Sequence, residues 1–255
     1  MKEFIKNRKG QKISVIAEGE ENKNGLVFVM HGLGGFKEQP HIQAMAETFL
    51  ENRYTAVRFD TTNTFGESGG KYEDATITSY YADLEDVIKW AESQQWYKEP
   101  FVLAGHSLGG ICTALFAENF PEKVKALAPI STVVSGKLSL ETDKHRGVVE
   151  GWKKTGWLEE KSVSKPGVVK SLPWSHMEDR IRYDLLPNVK KLSMSVLMVV
   201  GDKDAATPPE HQKILFSALT GPKEFHVIKG SGHSFRKKEE IVELKKMFSE
   251  WIKKI

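Results

Sequence analysis

A serine hydroxyl is a poor nucleophile at neutral pH and attacks only when a neighbouring base takes its proton. The stretch Gly105-His106-Ser107-Leu108-Gly109 presents such a hydroxyl between two kinds of local structure. Residues 101–104 form an apolar run of strand length, and Ile111, Cys112, Ala114, Leu115 and Ala117 continue as a small-residue helix pattern. A strand that turns abruptly into a helix at Ser107 needs glycine two positions to either side, because Cβ groups there would strike the adjoining strand and helix. An imidazole to act as base stands in Gly230-Ser231-Gly232-His233. Carboxylates to hold that imidazole in one tautomer stand in Gly201-Asp202-Lys203-Asp204. In this chemistry His233 accepts the Ser107 proton during attack and returns it to the leaving group, while an aspartate stabilises the imidazolium. Asp202 and Asp204 share one turn, and either can also serve as a turn former bonded to its own backbone.

The elements that must position these groups are legible as alternating runs. Residues 26–30 are continuously apolar and end in His31-Gly32-Leu33-Gly34-Gly35, a pattern expected of a strand buried on both faces of a parallel sheet. Ile42, Met45, Ala46, Phe49 and Leu50 then form one helical stripe. Residues 54–59 read as the next strand, closing on Asp60, and residues 61–74, rich in Thr, Gly and Ser, read as loop. A helix is expected over residues 78–94, the nucleophile strand over 101–104 and its helix to 119, and a strand over 124–130. Order resumes with a strand over 195–200, a helix opened by Pro208 and Pro209, a strand over 223–228 and a striped final helix. Residues 4–7 and 12–17 read as short edge strands. Strands alternating with helices specify a mainly parallel twisted sheet covered on both faces, and active sites in such sheets gather at the carboxyl ends of strands.

Between residues 131 and 187 the rhythm stops. Trp152, Trp157 and Trp174 lie among glycines, prolines and charges with no buried strand run. A stretch of this length inside a compact domain carries structure of its own, so two or three short helices are expected there as an inserted cap. The division expected is a core of residues 1–130 and 188–255 with a cap of residues 131–187.

The four glycine-rich loops together, with Ser107, Asp204 and His233 in that chain order, resemble the α/β-hydrolase superfamily over nearly the whole chain. The cap and the glycine-rich opening are similar to those of small bacterial carboxylesterases, including cinnamoyl or feruloyl esterases and monoglyceride lipases. The resemblance implies an α/β-hydrolase fold with about eight strands. It places the acid at the end of the Gly-x-x-Asp turn, on Asp204 rather than Asp202. It also implies a serine hydrolase of carboxylic esters working through an acyl-enzyme, with a small-molecule ester as substrate and no cofactor. The backbone N–H groups of Leu33 and Leu108 are expected to form the oxyanion hole, where each such donor is worth roughly a hundred- to a thousandfold in rate. Gly32, Gly34, Trp152 and Trp174 are the candidates for substrate contact. One departure stands out: relatives often follow the strand-end Asp with Gly-x-Gly-x-Ser, whereas here Asp60 precedes Thr61-Thr62-Asn63-Thr64-Phe65-Gly66-Glu67-Ser68, which lacks the first glycine.

The remaining features read blandly. Lys and Arg total 37 against 34 for Asp and Glu, a net charge of +3, so nucleic acid is not an expected partner. The first ten residues have no apolar segment behind them and no run is long enough to span a bilayer, which leads us to expect a soluble cytoplasmic protein without stable membrane insertion. Cys112 is alone and reads as a buried core residue. His106 reads as packing, His41, His211 and His226 as helix or strand faces, and His145 and His176 as cap positions that could touch substrate but read first as surface. No Cys, His or Asp grouping has metal-ligand spacing, and residues 66–70 match neither a phosphate loop nor a dinucleotide fingerprint. Two rival functions share the pattern: the same machinery acting on a thioester, amide or lactone, and a non-catalytic member of the fold used for binding.

Overall fold

The most apolar strand at the centre of the computed structural model is continuously apolar because it feeds two cores. In β3 (Gly25–Met30), Leu26, Phe28 and Met30 join one cluster while Val27 and Val29 join the other, as the two-residue period of a strand requires. The structure describes residues 1–19, 21, 24–162 and 165–255. Among them an eight-stranded sheet runs in the order β1-β2-β4-β3-β5-β6-β9-β10. Its members besides β3 are β1 (Lys2–Lys6), β2 (Lys12–Glu18), β4 (Tyr54–Phe59), β5 (Phe101–His106), β6 (Val124–Ile130), β9 (Ser195–Gly201) and β10 (Lys223–Ile228). β1 and β2 pair antiparallel, β2 also pairs antiparallel with β4, and the rest are parallel. The outermost strand begins at Lys2, earlier than the expected residue 4, because half of its residues face solvent and leave little apolar signal.

Helices cover both faces. Residues of α1 (Pro40–Glu51) and α9 (Lys238–Ile252) pack on one side, with Phe49, Phe248 and Trp251 edge-to-face at 6.2 to 6.5 Å between ring centroids. On the other side lie α2 (Ile77–Ala91), started by a Thr76–Ser79 capping box, and α3 (Leu108–Asn119). The six parallel strands β3, β4, β5, β6, β9 and β10 therefore end at one rim, where the loops that follow them meet.

The insertion after β6 departs from expectation. It holds four short helices, α4 (Gly136–Ser139), α5 (Asp143–Arg146), α6 (Val149–Thr155) and α7 (Trp174–Arg180), instead of two or three. It also holds a second, two-stranded antiparallel sheet of β7 (Trp157–Lys161) and β8 (Val169–Pro173). β7 alternates exposed and half-buried positions, β8 buries only Leu172, and the pair carry Glu159, Glu160, Lys161 and Lys170, so no apolar run marks them. Val163 and Ser164, inside the expected cap, lie outside the described residues. A separate small core of Trp152, Leu172 and Met177 holds the insertion together. After it come α8 (Pro209–Ala218) and β10.

Candidate active site

Ser107 sits between β5 and α3 with φ 55° and ψ −112°, a positive-φ conformation that a non-glycine residue adopts only when its surroundings force it. The surroundings do so by excluding side chains. A Cβ on Gly105 would lie 2.4 Å from the Gly109 carbonyl oxygen, and one on Gly109 would lie 2.5 Å from that of His31. Helix and strand thus close to a distance that only hydrogen atoms permit. The Ser107 N–H donates to the Ile130 carbonyl at 3.1 Å, which ties the turn to the next strand.

The loops after β5, β9 and β10 bring three side chains into line. His233 Nε2 lies 2.9 Å from Ser107 Oγ, and His233 Nδ1 lies 2.8 and 3.0 Å from the two carboxylate oxygens of Asp204. Asp204 is buried, and its Oδ1 accepts the backbone N–H groups of Ala206 and Thr207 at 2.9 Å each, with the Thr207 hydroxyl 2.8 Å from Oδ2. Burial alone would raise its pKa. The adjacent His233 and the Thr207 donors outweigh that and hold it well below the usual carboxylate range. Asp202 is placed differently: its carboxylate accepts the Gly230 N–H at 2.7 Å and braces the turn that carries His233.

The loop after β3 faces the same serine. A Cβ on Gly32 would stand 2.9 Å from Ser107 Cβ, so Gly32-Leu33 passes directly over the Ser107 turn. Among the described residues, neither the Leu33 nor the Leu108 N–H has a backbone or side-chain acceptor, which leaves both donors available to a bound oxygen. His31 fixes this loop from beneath: its Nδ1–H donates to the Gly32 carbonyl at 2.7 Å, and its Nε2 accepts the Thr61 N–H at 3.0 Å. Burial lowers the His31 pKa and keeps the ring neutral for these roles. Tyr80 accepts the Gly34 N–H at 3.3 Å.

Beside it lies a group that sequence reasoning passed over. Lys37 is fully buried, with Nζ 2.8 Å from Asp60 Oδ2 and 2.6 Å from Glu67 Oε2, and its backbone N–H donates to Asp60 Oδ1 at 2.7 Å. Burial disfavours the ammonium, yet these carboxylates prevail and raise its pKa. Asp60 was legible as a strand end, but its cation is 23 residues away and in the middle of an unremarkable loop. The same Asp60 shows why Gly66 is retained where the first glycine is lost: a Cβ on Gly66 would lie 2.2 Å from the Asp60 carboxyl carbon.

A cleft of about 480 Å³ opens over Ser107 and His233, within the size range of small-molecule sites. Gly32, Gly34 and Trp152, selected from the sequence as candidates for substrate contact, line it. Trp174 does not. It packs edge-on behind Trp152 at 5.5 Å between centroids and supports that ring from the insertion's core. His145 and His176, expected first at the surface, are buried and line the cleft, each near-parallel to the Trp152 ring at 6.4 Å between centroids. The correction has a simple cause: isolated polar residues in an irregular stretch carry no periodicity to show which way they face. Burial pushes both imidazoles down to about 3, so they are neutral. His106 is likewise buried and pushed down to about 3; it lies 2.7 Å from the His233 carbonyl and so packs against the loop that carries His233. No group of three or more His, Cys, Asp or Glu among the described residues is arranged to hold a metal ion.

Comparison with known proteins agrees with this architecture. A family model described as alpha/beta hydrolase fold matches residues 25–165, more than half of the chain. The mouse mitochondrial palmitoyl-protein thioesterase ABHD10 is 23% identical over 228 residues, covering 85% of this chain and 71% of that protein. The structure of mouse alpha/beta hydrolase domain-containing protein 10 superposes with a TM-score of 0.81 at 19% identity, covering 100% of this chain and 99% of that one. The ferulic acid complex of Est1E from Butyrivibrio proteoclasticus superposes with a TM-score of 0.79 at 22% identity, covering 99% and 98%. At these identities the superpositions show a shared fold.

Proposed function

Because the chain belongs to the α/β-hydrolase family, we propose that it is a serine hydrolase that cleaves carboxylic esters through an acyl-enzyme. The observation that carries this reading is the 2.9 Å contact between Ser107 Oγ and His233 Nε2, backed by the ionised Asp204. In the first half-reaction His233 Nε2 takes the Ser107 proton as Oγ attacks the carbonyl carbon, and the carbonyl oxygen gains negative charge between the Leu33 and Leu108 N–H groups. His233 then gives the proton to the departing alcohol oxygen. Water repeats the sequence on acyl-Ser107, giving its proton to His233 and releasing the acid with Ser107 restored. Residues 131–187 act as a cap: they supply Trp152, His145 and His176 to the cleft, so the walls that meet the substrate come from the insertion and the reacting groups from the core.

Two tests apply. Ser107→Ala lowers hydrolysis of a chromogenic short-chain ester by at least about a thousandfold, and a fluorophosphonate labels the wild-type chain at Ser107 but not the variant. Near-normal turnover by purified Ser107→Ala sinks the assignment. A thioester reading is favoured by one observation, the palmitoyl-protein thioesterase named among the relatives. Matched ester, thioester and amide substrates with one acyl group separate the two by their kcat/KM ratios.

A further inference from the structure

The cap wall of the cleft holds a buried cation without a counter-ion. Arg180, at the end of α7, is 6% exposed and lines the cleft. Its Nε donates to Ser139 Oγ at 3.1 Å, and no carboxylate among the described residues lies within ion-pair range of its guanidinium. Nearby acids are engaged elsewhere: Asp179 accepts from Thr78 and Asp184 from Ser135. Moving an isolated charge out of water costs several kcal/mol unless another charge compensates it. Burial accordingly lowers the arginine pKa to about 10, which still leaves it charged at neutral pH.

The rest of that wall adds to the imbalance. Lys144 and Lys170 both line the cleft, and both point to the same carboxylate oxygen of Glu160, at 3.6 and 3.5 Å. One acid thus faces two ammonium groups. His145 and His176, beside them, are neutral and contribute no charge of either sign. Asp143, the other acid on the cleft, is largely exposed and pairs with Arg146 at 3.7 Å. Positive charge in a partly dry cavity, unmatched by protein carboxylates, is the arrangement expected of a site whose counter-ion arrives with the ligand.

We propose that Arg180, with Lys144 and Lys170 at its side, binds a carboxylate carried by the substrate, so that the preferred substrates are esters bearing a free acid group in addition to the scissile bond. The placement of that acid group within a substrate rests on the serine-hydrolase reading; the binding of a carboxylate at Arg180 does not. A guanidinium suits the task because its planar fork can meet both carboxylate oxygens at once. A charge-assisted contact of this kind in a cleft shielded from water is worth about ten- to a hundredfold in apparent affinity.

The test uses matched pairs that differ only in charge. On the alcohol side, 4-carboxyphenyl butanoate is compared with 4-carbamoylphenyl butanoate. On the acyl side, monoethyl esters of four- to ten-carbon diacids are compared with the ethyl esters of their monoamides. The wild-type enzyme is expected to favour the acid member by at least tenfold in kcat/KM in one of the two series, chiefly through a lower KM. Arg180→Gln reduces that preference by about ten- to a hundredfold, and Arg180→Lys, which keeps the charge, recovers part of it. Thermal melting of each variant verifies folding; should Arg180→Gln fail to fold, Lys170→Gln and the wild-type ratio carry the test. A wild-type ratio below about threefold in both series overturns the proposal, as does a ratio that folded Arg180→Gln leaves unchanged. If neither series is hydrolysed and the fluorophosphonate does not label Ser107, the hydrolase reading has failed by itself. Calorimetry with 4-butanamidobenzoate and 4-butanamidobenzamide then decides the anion site: tighter binding of the benzoate that Arg180→Gln abolishes supports it, and equal binding overturns it.

Discussion

At the scale of single residues, the two aspartates of the β9 turn predict opposite outcomes for the same substitution. Asp204 lies 2.8 Å from His233 Nδ1, so Asp204→Asn presents an amide that stabilises the wrong imidazole tautomer and cannot balance an imidazolium. A loss of about a thousand- to ten-thousandfold in kcat is expected. Asp202 only accepts the Gly230 N–H, and asparagine keeps an acceptor oxygen there, so Asp202→Asn stays within about tenfold of wild type. Steady-state kinetics on one ester measures both, and a reversed ranking places the acid on Asp202. The sequence narrowed the acid to one turn because glycines and aspartates mark a strand end, and within that turn only the resemblance to the family chose Asp204 over Asp202. Ser107 was legible for a stronger reason: Gly105 and Gly109 are the local cost of its backbone, so the motif and the geometry are one constraint. Lys37, Arg180, His145 and His176 were not legible. Their partners, or the lack of them, are set by loops distant in sequence, as with Asp60 for Lys37.

At the scale of elements, the Ser107 turn is held by the close approach of α3 to β3 and β5, and that approach can be tested without touching Ser107, Asp204 or His233. Gly109→Ala puts a methyl group 2.5 Å from the His31 carbonyl oxygen and 2.7 Å from that of Met30, both of them backbone atoms that cannot turn aside. Helix and strand must separate, and a loss of about 1 to 3 kcal/mol in unfolding free energy is expected. Gly151 provides the contrast. It lies inside α6, a Cβ there meets nothing within 4 Å, and Gly151→Ala is expected to gain up to about 1 kcal/mol from helix propensity alone. Urea unfolding compares the two, and equal effects contradict the packing argument. The inner strands were readable because both of their faces are buried, giving continuous apolar runs such as Gly25–Met30. The β7–β8 sheet was unreadable for the converse reason: one face meets solvent, charges sit at Glu159, Glu160 and Lys170, and its small core rests on Trp152, Leu172 and Met177, which lie far apart in sequence.

At the scale of the whole molecule, buried titratable groups set how stability depends on pH. The five buried histidines, His31, His41, His106, His145 and His176, have pKa values lowered chiefly by that burial. Below about pH 6.5, where an unfolded chain protonates them, the folded chain does not. The unfolded state then binds more protons, so stability falls as pH drops, by up to about 1.4 kcal/mol per pH unit for each histidine. Several such terms acting together rival the whole stability of a domain, about 5 to 15 kcal/mol. Stability should therefore fall steeply as pH drops from about 6.5 towards 4. Glu118 acts in the other direction. Near the end of α3, it is 2% exposed with Oε1 unpartnered, and burial raises its pKa to about 8. Between its unfolded value of about 4.5 and 8 the unfolded state loses this proton while the folded state keeps it, so stability declines as pH rises through that window. Urea midpoints from pH 4 to 9 are expected to pass through a maximum near neutrality. Glu118→Gln removes the ionisable group, raises the midpoints at pH 7 to 9 and leaves that at pH 4 unchanged. A midpoint that stays flat from pH 7 to 5 contradicts the histidine term, and a Glu118→Gln gain that is the same at pH 4 and pH 8 shows that this carboxyl is not held neutral by its burial.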